Sequence, residues 1–304
     1  MIRSPALLVW CALLLSACTR PPPQAARPPP PAGGAAGGHH VVVVTFDGLR
    51  PDAISDAGTP HLARLVREGA ASLDSRVPAP PDTLPSHFSM ATGQTAARHG
   101  LRANKSLDRE PKNATLFTAV HAAGGRTALY LGKSKLIALA PRGSADVVVG
   151  PSRDAKDWAS GAEAVLAARF ARDFPSGRFA LAWVHLREPN MAGHAAGWMT
   201  PAYFAALAEA DRALGVVLRA IADSGLPTTV ILTSDHGGHG KEHWGRHPAD
   251  SIVPWICAGP SVRAGATIAD SSTMDVGPTA AALLGVTLPE VEGKVVGECL
   301  GKRP

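Results

Sequence analysis

From His39 onward the chain alternates short apolar runs with longer segments that have helical spacing. Five β-rich runs predict strands, at residues 41–46, 127–131, 146–149, 179–185 and 228–233. Three segments with few helix breakers predict helices, at residues 159–174, 201–222 and 275–284. Several predicted strands are apolar without alternation, which is typical of strands covered on both faces. The pattern therefore predicts an α/β fold, a three-layer α/β/α sandwich with a central, mainly parallel sheet.

The N-terminus of the chain has the features of an export signal. Arg3 precedes an apolar run at residues 6–15, and the sequence Leu-Ser-Ala-Cys that ends at Cys18 matches a bacterial lipobox. The apolar run is too short to span a bilayer. We expect residues 1–18 to be a lipoprotein signal peptide and Cys18 to be acylated, although an ordinary signal peptide with a stray cysteine has the same pattern. The protein would then be an exported bacterial lipoprotein of the cell envelope, on the periplasmic side or at the outer membrane.

Residues 19–38 are almost all Pro, Ala, Gly and Arg. Such a segment cannot bury enough apolar surface to offset the entropy of ordering it, so we expect a disordered tether. No second linker interrupts residues 39–304, which we interpret as a single catalytic domain. Membrane contact would then be through the lipid anchor only.

The net charge of +5 does not indicate a nucleic-acid partner. The first 38 residues hold three of the 30 Lys and Arg residues and none of the 25 Asp and Glu residues, which leaves +2 from His39 onward. No Lys/Arg-rich cluster is present there, so we expect no nucleic-acid binding. Two of the four cysteines, Cys257 and Cys299, lie in this part of the chain. They could pair in an oxidising compartment, but the sequence alone does not bring their Cα atoms within bonding distance.

Two predicted strands end in polar residues that could bind a metal ion. Asp47 follows the run at 41–46, where a carboxylate is costly unless it is paired, and both metal ligation and a helix N-cap explain it. The strand at 228–233 leads through Ser234 into Asp235 and His236. An adjacent Asp and His offer oxygen and nitrogen ligands that suit zinc or manganese. In such sheets, ligand-binding and active sites lie beyond the carboxyl ends of the strands.

Five motifs, taken in order, resemble the alkaline phosphatase superfamily, and above all its type I phosphodiesterase and nucleotide pyrophosphatase branch. They are the Asp47 strand end, the Thr83-x-Pro85-x-His87 turn, the segment Glu188-Pro189-Asn190-x-x-Gly193-His194, the Asp235-His236-Gly237 turn and Asp275-x-x-Pro278-Thr279. The resemblance covers nearly the whole body of the chain. It implies an alkaline phosphatase-like sheet and a metal-dependent hydrolase of phosphate esters, acting as a phosphodiesterase, nucleotide pyrophosphatase or phosphatase on a small phosphorylated substrate.

The resemblance also implies the site residues. Thr83 would attack phosphorus and form a covalent phospho-threonine intermediate, because bound metal lowers the pKa of a hydroxyl that is otherwise a poor nucleophile. Two divalent ions, zinc or possibly manganese, would be bound. The first would take Asp47, Thr83, Asp235 and His236, and the second would take Asn190, His194 and a later histidine. We choose His243 over His239 and His247, because it precedes Pro254 by the spacing found in similar proteins.

Asn190 departs from the family pattern, which has Asp at this position. A neutral ligand binds a dication less strongly, so we expect the second metal ion to be bound weakly and Asn190→Asp to tighten it. Glu188 could compensate if the segment is extended, since residues two apart then point to the same side. The alternative function is a non-catalytic or single-metal binding protein that retains the fold.

The remaining polar residues are interpreted as follows. Asn104, 21 residues after Thr83, would donate a hydrogen bond to a phosphate oxygen. Lys133 and Lys135 could reach a substrate phosphate, but we predict that they are solvated and leave them out of the site. We expect structural hydrogen bonds for His87 and His99, and surface positions for His39, His40, His61 and His121. Trp198, Trp244 and Trp255 are expected to pack, with Trp244 a possible wall of the substrate site. A sulfatase is disfavoured, because the Thr83 motif lacks both the Cys or Ser nucleophile and the arginine of that family.

Overall fold

The computed structural model describes Met1 and residues 38–78, 80–105, 110–151, 161–244 and 247–301. The predicted signal peptide and tether, including Cys18, lie outside these residues except for Met1 and Gly38. Among the described residues, no helix is both long and apolar enough to cross a membrane.

Within the described part of the chain, seven strands form one mixed, mostly parallel sheet. Their order is β2-β7-β6-β1-β5-β3-β4, and β7 runs antiparallel to its neighbours β6 and β2. The other pairs are parallel. The strands are β1 His40–Phe46, β2 Ala70–Arg76, β3 Thr127–Tyr130, β4 Val147–Val149, β5 Leu181–Leu186, β6 Thr228–Ser234 and β7 Ile252–Ala258.

Helices cover both faces of the sheet. They are α1 Pro60–Glu68, α2 Thr83–Thr92, α3 Ala96–His99, α4 Leu116–Ala122, α5 Ala162–Gly177, α6 Glu188–Ala196, α7 Pro201–Ser224, α8 Pro248–Ser251 and α9 Val276–Leu284. Side chains of β1 alternate between two cores, so Val43 packs with α2, α4 and α9 while Val44 packs with α1, α5 and α7. The strand is apolar throughout because both faces are covered. The predicted three-layer α/β fold is confirmed.

Local sequence explains the ends of the longest helix. Thr200 caps α7 by accepting a hydrogen bond from the Tyr203 amide, and Pro201 begins the helix where a missing N–H costs nothing. Gly225 ends it in the left-handed conformation, with φ of 64°.

The predicted elements are present with small shifts at their ends. The five predicted strands are observed as β1, β3, β4, β5 and β6, but β2 and β7 at the antiparallel side were not predicted. Helix α5 begins at Ala162, after the N-cap residue Gly161, and residues 159 and 160 of its predicted range lie outside the described residues. His40, which we expected at the surface, is buried and hydrogen-bonded through Nδ1 to the Phe179 carbonyl at 2.7 Å.

A disulfide joins Cys257 of β7 to Cys299 near the C-terminus. Their Cα atoms are 5.9 Å apart, within the usual range for a disulfide. The pairing that the sequence left open is therefore formed, and it fastens the C-terminal segment to the sheet.

Candidate active site

Parallel pairing brings the two polar strand ends together. Phe46 of β1 pairs with Ser234 of β6, so Asp47 and Asp235 leave neighbouring strands at the same edge. The ligand atoms of Asp47, Asp235 and His236 lie within 4.8 Å of one another, and all three side chains are fully buried. The sequence predicted this group as a metal centre.

Unpaired polar atoms in this group fit a divalent cation. Asp235 Oδ2 and His236 Nε2 are buried, and no hydrogen-bond partner for either atom is found among the described residues. The His236 Nδ1 atom lies 2.8 Å from the Gly237 carbonyl, which assigns the ring proton to Nδ1 and leaves a lone pair on Nε2. Buried polar atoms without partners are costly, and two carboxylates with one imidazole suit zinc or manganese.

The two carboxylates differ in their ionisation. Burial raises the pKa of Asp47, but the Lys133 ammonium and the hydrogen bond from His185 lower it by more, to well below its ordinary value. Burial and the neighbouring Asp47 charge raise the pKa of Asp235 to about 7. Asp47 is therefore the permanent anion of the pair, and Asp235 is the carboxyl group that gives up a proton when a cation binds.

Thr83 begins a helix next to this group. It is the first residue of α2, is 1% exposed, and follows Asp82 at the N-cap. The turn that the sequence predicts at Thr83 is instead the buried first turn of helix α2. The N-terminal end of a helix carries partial positive charge, which favours developing negative charge on Thr83 Oγ1 or on a bound phosphate.

The predicted ligands of the second metal ion lie beside the first group. The His243 ring stacks on the His236 ring with centroids 3.6 Å apart and lies 5.0 Å from the His194 ring. Nδ1 of His194 lies 3.0 Å from the Lys241 carbonyl, and Nδ1 of His243 lies 2.9 Å from the Pro81 carbonyl. Both contacts place the ring proton on Nδ1 and leave Nε2 as an acceptor.

The other two histidines that the sequence offered for this role lie elsewhere. His239 Nδ1 is 2.7 Å from Asp250 Oδ1, and the His239 ring stacks on that of His247 with centroids 4.6 Å apart. Of the three candidate histidines, His243 is the one whose ring stacks on His236.

Asn190 is 2% exposed and lies on α6, together with His194. This corrects the extended segment that we expected. Residues two apart on a helix do not face the same side, so Glu188 does not replace the missing carboxylate as proposed. Its carboxylate instead lies 3.5 Å from the Arg187 guanidinium.

Two residues of the site were not found from the sequence. Lys133 was expected in solvent but is 6% exposed, with Nζ 2.7 Å from Asp47 Oδ2 and 3.2 Å from Thr83 Oγ1. His185 is fully buried; its Nε2 is 3.0 Å from Asp47 Oδ2, and its Nδ1 accepts a hydrogen bond from the Gly132 amide. Lys133 follows β3 closely, so the strand-end rule that found Asp47 could have found it.

Residues around Thr83 have contacts that hold its helix in place. His87 Nδ1 lies 2.8 Å from the Thr83 carbonyl, and its Nε2 lies 3.0 Å from Thr45 Oγ1. His99 Nε2 lies 2.9 Å from Ser89 Oγ. Both histidines thus make the structural hydrogen bonds that we expected.

Of the three tryptophans that we expected to pack, Trp198 and Trp255 are buried, whereas Trp244 is 61% exposed. The Trp244 ring stacks on the His243 ring with centroids 5.4 Å apart. Trp244 is therefore not packed in the core as expected, and its role as a wall of the substrate site stays a prediction.

A model of the type I phosphodiesterase / nucleotide pyrophosphatase family matches residues 41–243, more than half of the chain. The chain belongs to this family. The matched range contains Asp47, Thr83, Asp235, His236 and His243.

Solved structures show the same fold at low sequence identity. The murine ectonucleotide pyrophosphatase/phosphodiesterase 5, as an inactive variant in complex with AMP, has a TM-score of 0.70 at 16% identity and covers 84% of this chain and 97% of that one. The phosphonate monoester hydrolase of Agrobacterium radiobacter has a TM-score of 0.66 at 19% identity and covers 87% of this chain and 78% of that one.

Curated relatives match over a shorter range. Arylsulfatase K of Xenopus laevis is 35% identical over 96 residues, and that of Bos taurus has the same identity and range. The match spans 29% of the family member and only 18% of either relative. Arylsulfatase K is therefore similar to part of this chain.

Proposed function

We propose that the protein hydrolyses phosphate esters in a metal-dependent reaction, with Thr83 as the nucleophile. The observation that carries the proposal is the position of Thr83. Its hydroxyl is buried at the N-terminus of α2, within 3.2 Å of an ammonium that also contacts Asp47. This setting favours a hydroxyl nucleophile, because the Lys133 ammonium and the N-terminus of α2 both place positive charge near the oxygen that must become an anion.

Asp47, Asp235 and His236 would hold the divalent ion, with Thr83 as a further ligand. When bound, such an ion lowers the pKa of the Thr83 hydroxyl and offsets negative charge on the phosphate. Asn104, through its amide nitrogen, would donate a hydrogen bond to a phosphate oxygen. The N-terminus of α2 adds its dipole in the same direction.

The reaction would proceed in two displacements at phosphorus. Thr83 gives up its hydroxyl proton as Oγ1 forms a bond to phosphorus, the bond to the leaving oxygen breaks, and the leaving group takes up a proton. Water then gives up a proton as it attacks phosphorus, the Thr83 Oγ1–phosphorus bond breaks, and Thr83 Oγ1 takes up a proton. Splitting one hard displacement into two easier ones is the purpose of covalent catalysis.

A phosphate ester is favoured over a sulfate ester as the substrate, even though sulfatases are among the similar proteins. The motif Thr83-Leu84-Pro85-Ser86-His87 offers a hydroxyl on a β-branched side chain and no arginine. A threonine hydroxyl that attacks directly suits phosphorus. The Lys133 ammonium, the N-terminus of α2 and the Asn104 amide are the donors that would stabilise negative charge on a phosphate. The alternative of a non-catalytic, single-metal binding protein does not explain why Thr83 is buried beside that donor set.

A panel of matched substrates tests the proposal. Purified protein loaded with zinc or manganese is given aryl esters with one leaving group, as phosphate monoester, phosphate diester, nucleotide ester and sulfate. We expect turnover of at least one phosphate ester above that of the sulfate, and loss of turnover with Asp235→Asn. Preferential turnover of the sulfate would contradict the proposed substrate class, and no turnover of any ester would favour the binding-protein alternative.

A further inference from the structure

Lys133 is a buried lysine whose contacts lie in the candidate site. It follows β3 at the sheet edge that also carries Asp47 and Asp235, and its Nζ contacts Asp47 Oδ2 and Thr83 Oγ1. Lysine is almost never fully buried unless its charge is paired. Here one partner is the carboxylate of a candidate metal ligand and the other is the candidate nucleophile.

Asn190 takes part in the same network. With its carboxamide oxygen directed at Lys133, that oxygen accepts a hydrogen bond from Nζ at 2.9 Å. The amide nitrogen then donates to Asp47 Oδ1 at 3.2 Å and to His194 Nε2 at 3.3 Å. This orientation uses both ends of the amide, and it also uses the lone pair with which His194 would bind a metal ion.

We propose that the Lys133 ammonium, in place of a second metal ion, supplies the second positive charge beside Thr83. The inference rests on the proposed function and names how this site achieves it with one divalent ion. A cation liganded by Asn190, His194 and His243 would have only neutral ligands. It would also share the Asn190 oxygen with an ammonium of like charge, which disfavours binding.

The replacement assigns Lys133 a defined role in the reaction. Its ammonium can donate a hydrogen bond to Thr83 Oγ1 while negative charge develops there, as a preorganised donor in a buried site. A charge fixed to the chain also needs no metal from solution. The neutral Asn190 fits this arrangement, because an aspartate there would pair directly with Lys133.

Metal content distinguishes the two arrangements without reference to activity. The parent, Lys133→Met, Asn190→Asp and the double variant are dialysed against zinc, and bound metal per chain is measured by mass spectrometry and titration calorimetry. Lys135→Met, a half-buried lysine of the same segment, is the matched control. Thermal melting checks that each variant is folded, and Lys133→Gln replaces Lys133→Met if the latter does not fold.

We expect one tightly bound ion in the parent and in Lys135→Met. We also expect one in Asn190→Asp, in contrast to the tighter second site that the sequence alone predicts, because Lys133 would pair with the new carboxylate. A second ion should bind only when Lys133 is removed and Asn190 is an aspartate. Turnover should fall about 10²-fold or more in Lys133→Met, the effect of losing one preorganised donor. It should stay within twofold of the parent in Lys135→Met.

Two ions bound to the parent with affinities within tenfold of each other would overturn the inference, and so would turnover within tenfold of the parent in Lys133→Met. These failures are separate from failure of the proposed function. A parent that binds two ions and still loses turnover on Thr83→Ala keeps the hydrolase and removes the role of Lys133. A parent that hydrolyses no ester yet binds one ion, with a second in the double variant, keeps the charge replacement.

Discussion

Asn104 Oδ1 accepts a hydrogen bond from the Leu84 amide at 2.8 Å. Leu84 follows the candidate nucleophile, so Asn104 fixes the first turn of α2 at the residue next to Thr83. The Asn104 amide nitrogen is 3.4 Å from Asp82 Oδ1, at the long limit of a hydrogen bond, and a phosphate oxygen could compete for it. Asn104 thus combines a contact that positions the helix with the predicted contact to substrate.

Substitutions at Asn104 separate these two contacts. Asn104→Asp keeps an acceptor for the Leu84 amide but loses the donor and adds negative charge, whereas Asn104→Ala loses both. If the amide nitrogen contacts phosphate, Asn104→Asp should lower turnover by about 10²-fold, at least as much as Asn104→Ala. Steady-state kinetics with melting curves checks this. Near-parental turnover in Asn104→Asp together with a defect in Asn104→Ala would mean that Asn104 only caps the helix.

In the metal-free protein, Asp235 should contribute less to stability as pH rises toward 7. The pKa of Asp235 is raised to about 7 from an ordinary value of 3.8, so the folded state favours the neutral carboxyl. This contribution is complete below the unfolded pKa and is lost as pH rises through the folded one. For His236, burial lowers the pKa but Asp235 and Asp47 raise it more, so its titration acts in the same direction.

Denaturant unfolding in chelator should therefore show that the free energy of unfolding of the parent, measured relative to that of Asp235→Asn, is lower by roughly 1 kcal/mol at pH 8 than at pH 6. The comparison cancels buried histidines with a lowered pKa, such as His99 and His243, which titrate in the opposite direction in both proteins. Saturating zinc should remove the difference or reverse it, because the ion binds the ionised carboxylate. An equal fall relative to Asp235→Asn with and without zinc would show that another group titrates.

The disulfide should stabilise the fold without affecting chemistry. It closes a loop of 42 residues, for which the loss of unfolded-state entropy corresponds to roughly 4 kcal/mol. We expect the double variant Cys257→Ala/Cys299→Ala to have a free energy of unfolding lower by about 2–4 kcal/mol. Turnover at 25 °C should be unchanged. Urea unfolding of the double variant, with the reduced parent as a control, measures the effect, and a loss below ~1 kcal/mol would mean that the bond adds little.

The lipid anchor remains a proposal that rests on the sequence around Cys18. Cys18→Ala should abolish palmitate incorporation in a bacterial host and release the protein from the membrane fraction. The soluble body from His39 onward should keep full hydrolytic activity. Unchanged labelling of Cys18→Ala would exclude acylation at this residue, and Cys11→Ala serves as the matched control because Cys11 precedes the expected cleavage site.

The site residues at strand ends could be predicted, because the apolar runs before them mark where the buried strands end. The valines of β1 and the apolar run of β6 specify buried parallel strands, and pairing in register then brings Asp47 and Asp235 together. Side chains that enter the site from loops were not predictable in this way. Lys133 lies in a Gly-Lys-Ser-Lys sequence that looks solvated, and its burial depends on how that loop packs against α2 and α6.

Other errors have similar causes. Strand β2, with the sequence Ala-Ala-Ser-Leu-Asp-Ser-Arg, lacks a continuous apolar run because it lies at the edge of the sheet. The segment that begins at Glu188 was interpreted as extended, but proline at the second position suits the first turn of a helix, as in α6. The Cys257–Cys299 pair needed the three-dimensional distance, which composition does not supply.

The most direct test of the account is whether Thr83 carries the phosphoryl group during turnover. The parent and Thr83→Ala are mixed with the best phosphate ester of the panel, quenched in acid and digested, and the peptide containing Thr83 is analysed by mass spectrometry alongside initial rates. The account predicts a phosphorylated Thr83 in the parent, and in Thr83→Ala no such peptide, unchanged metal content and turnover lower by several orders of magnitude, with Thr83→Ser retaining part of the rate. Turnover of Thr83→Ala within tenfold of the parent would contradict it.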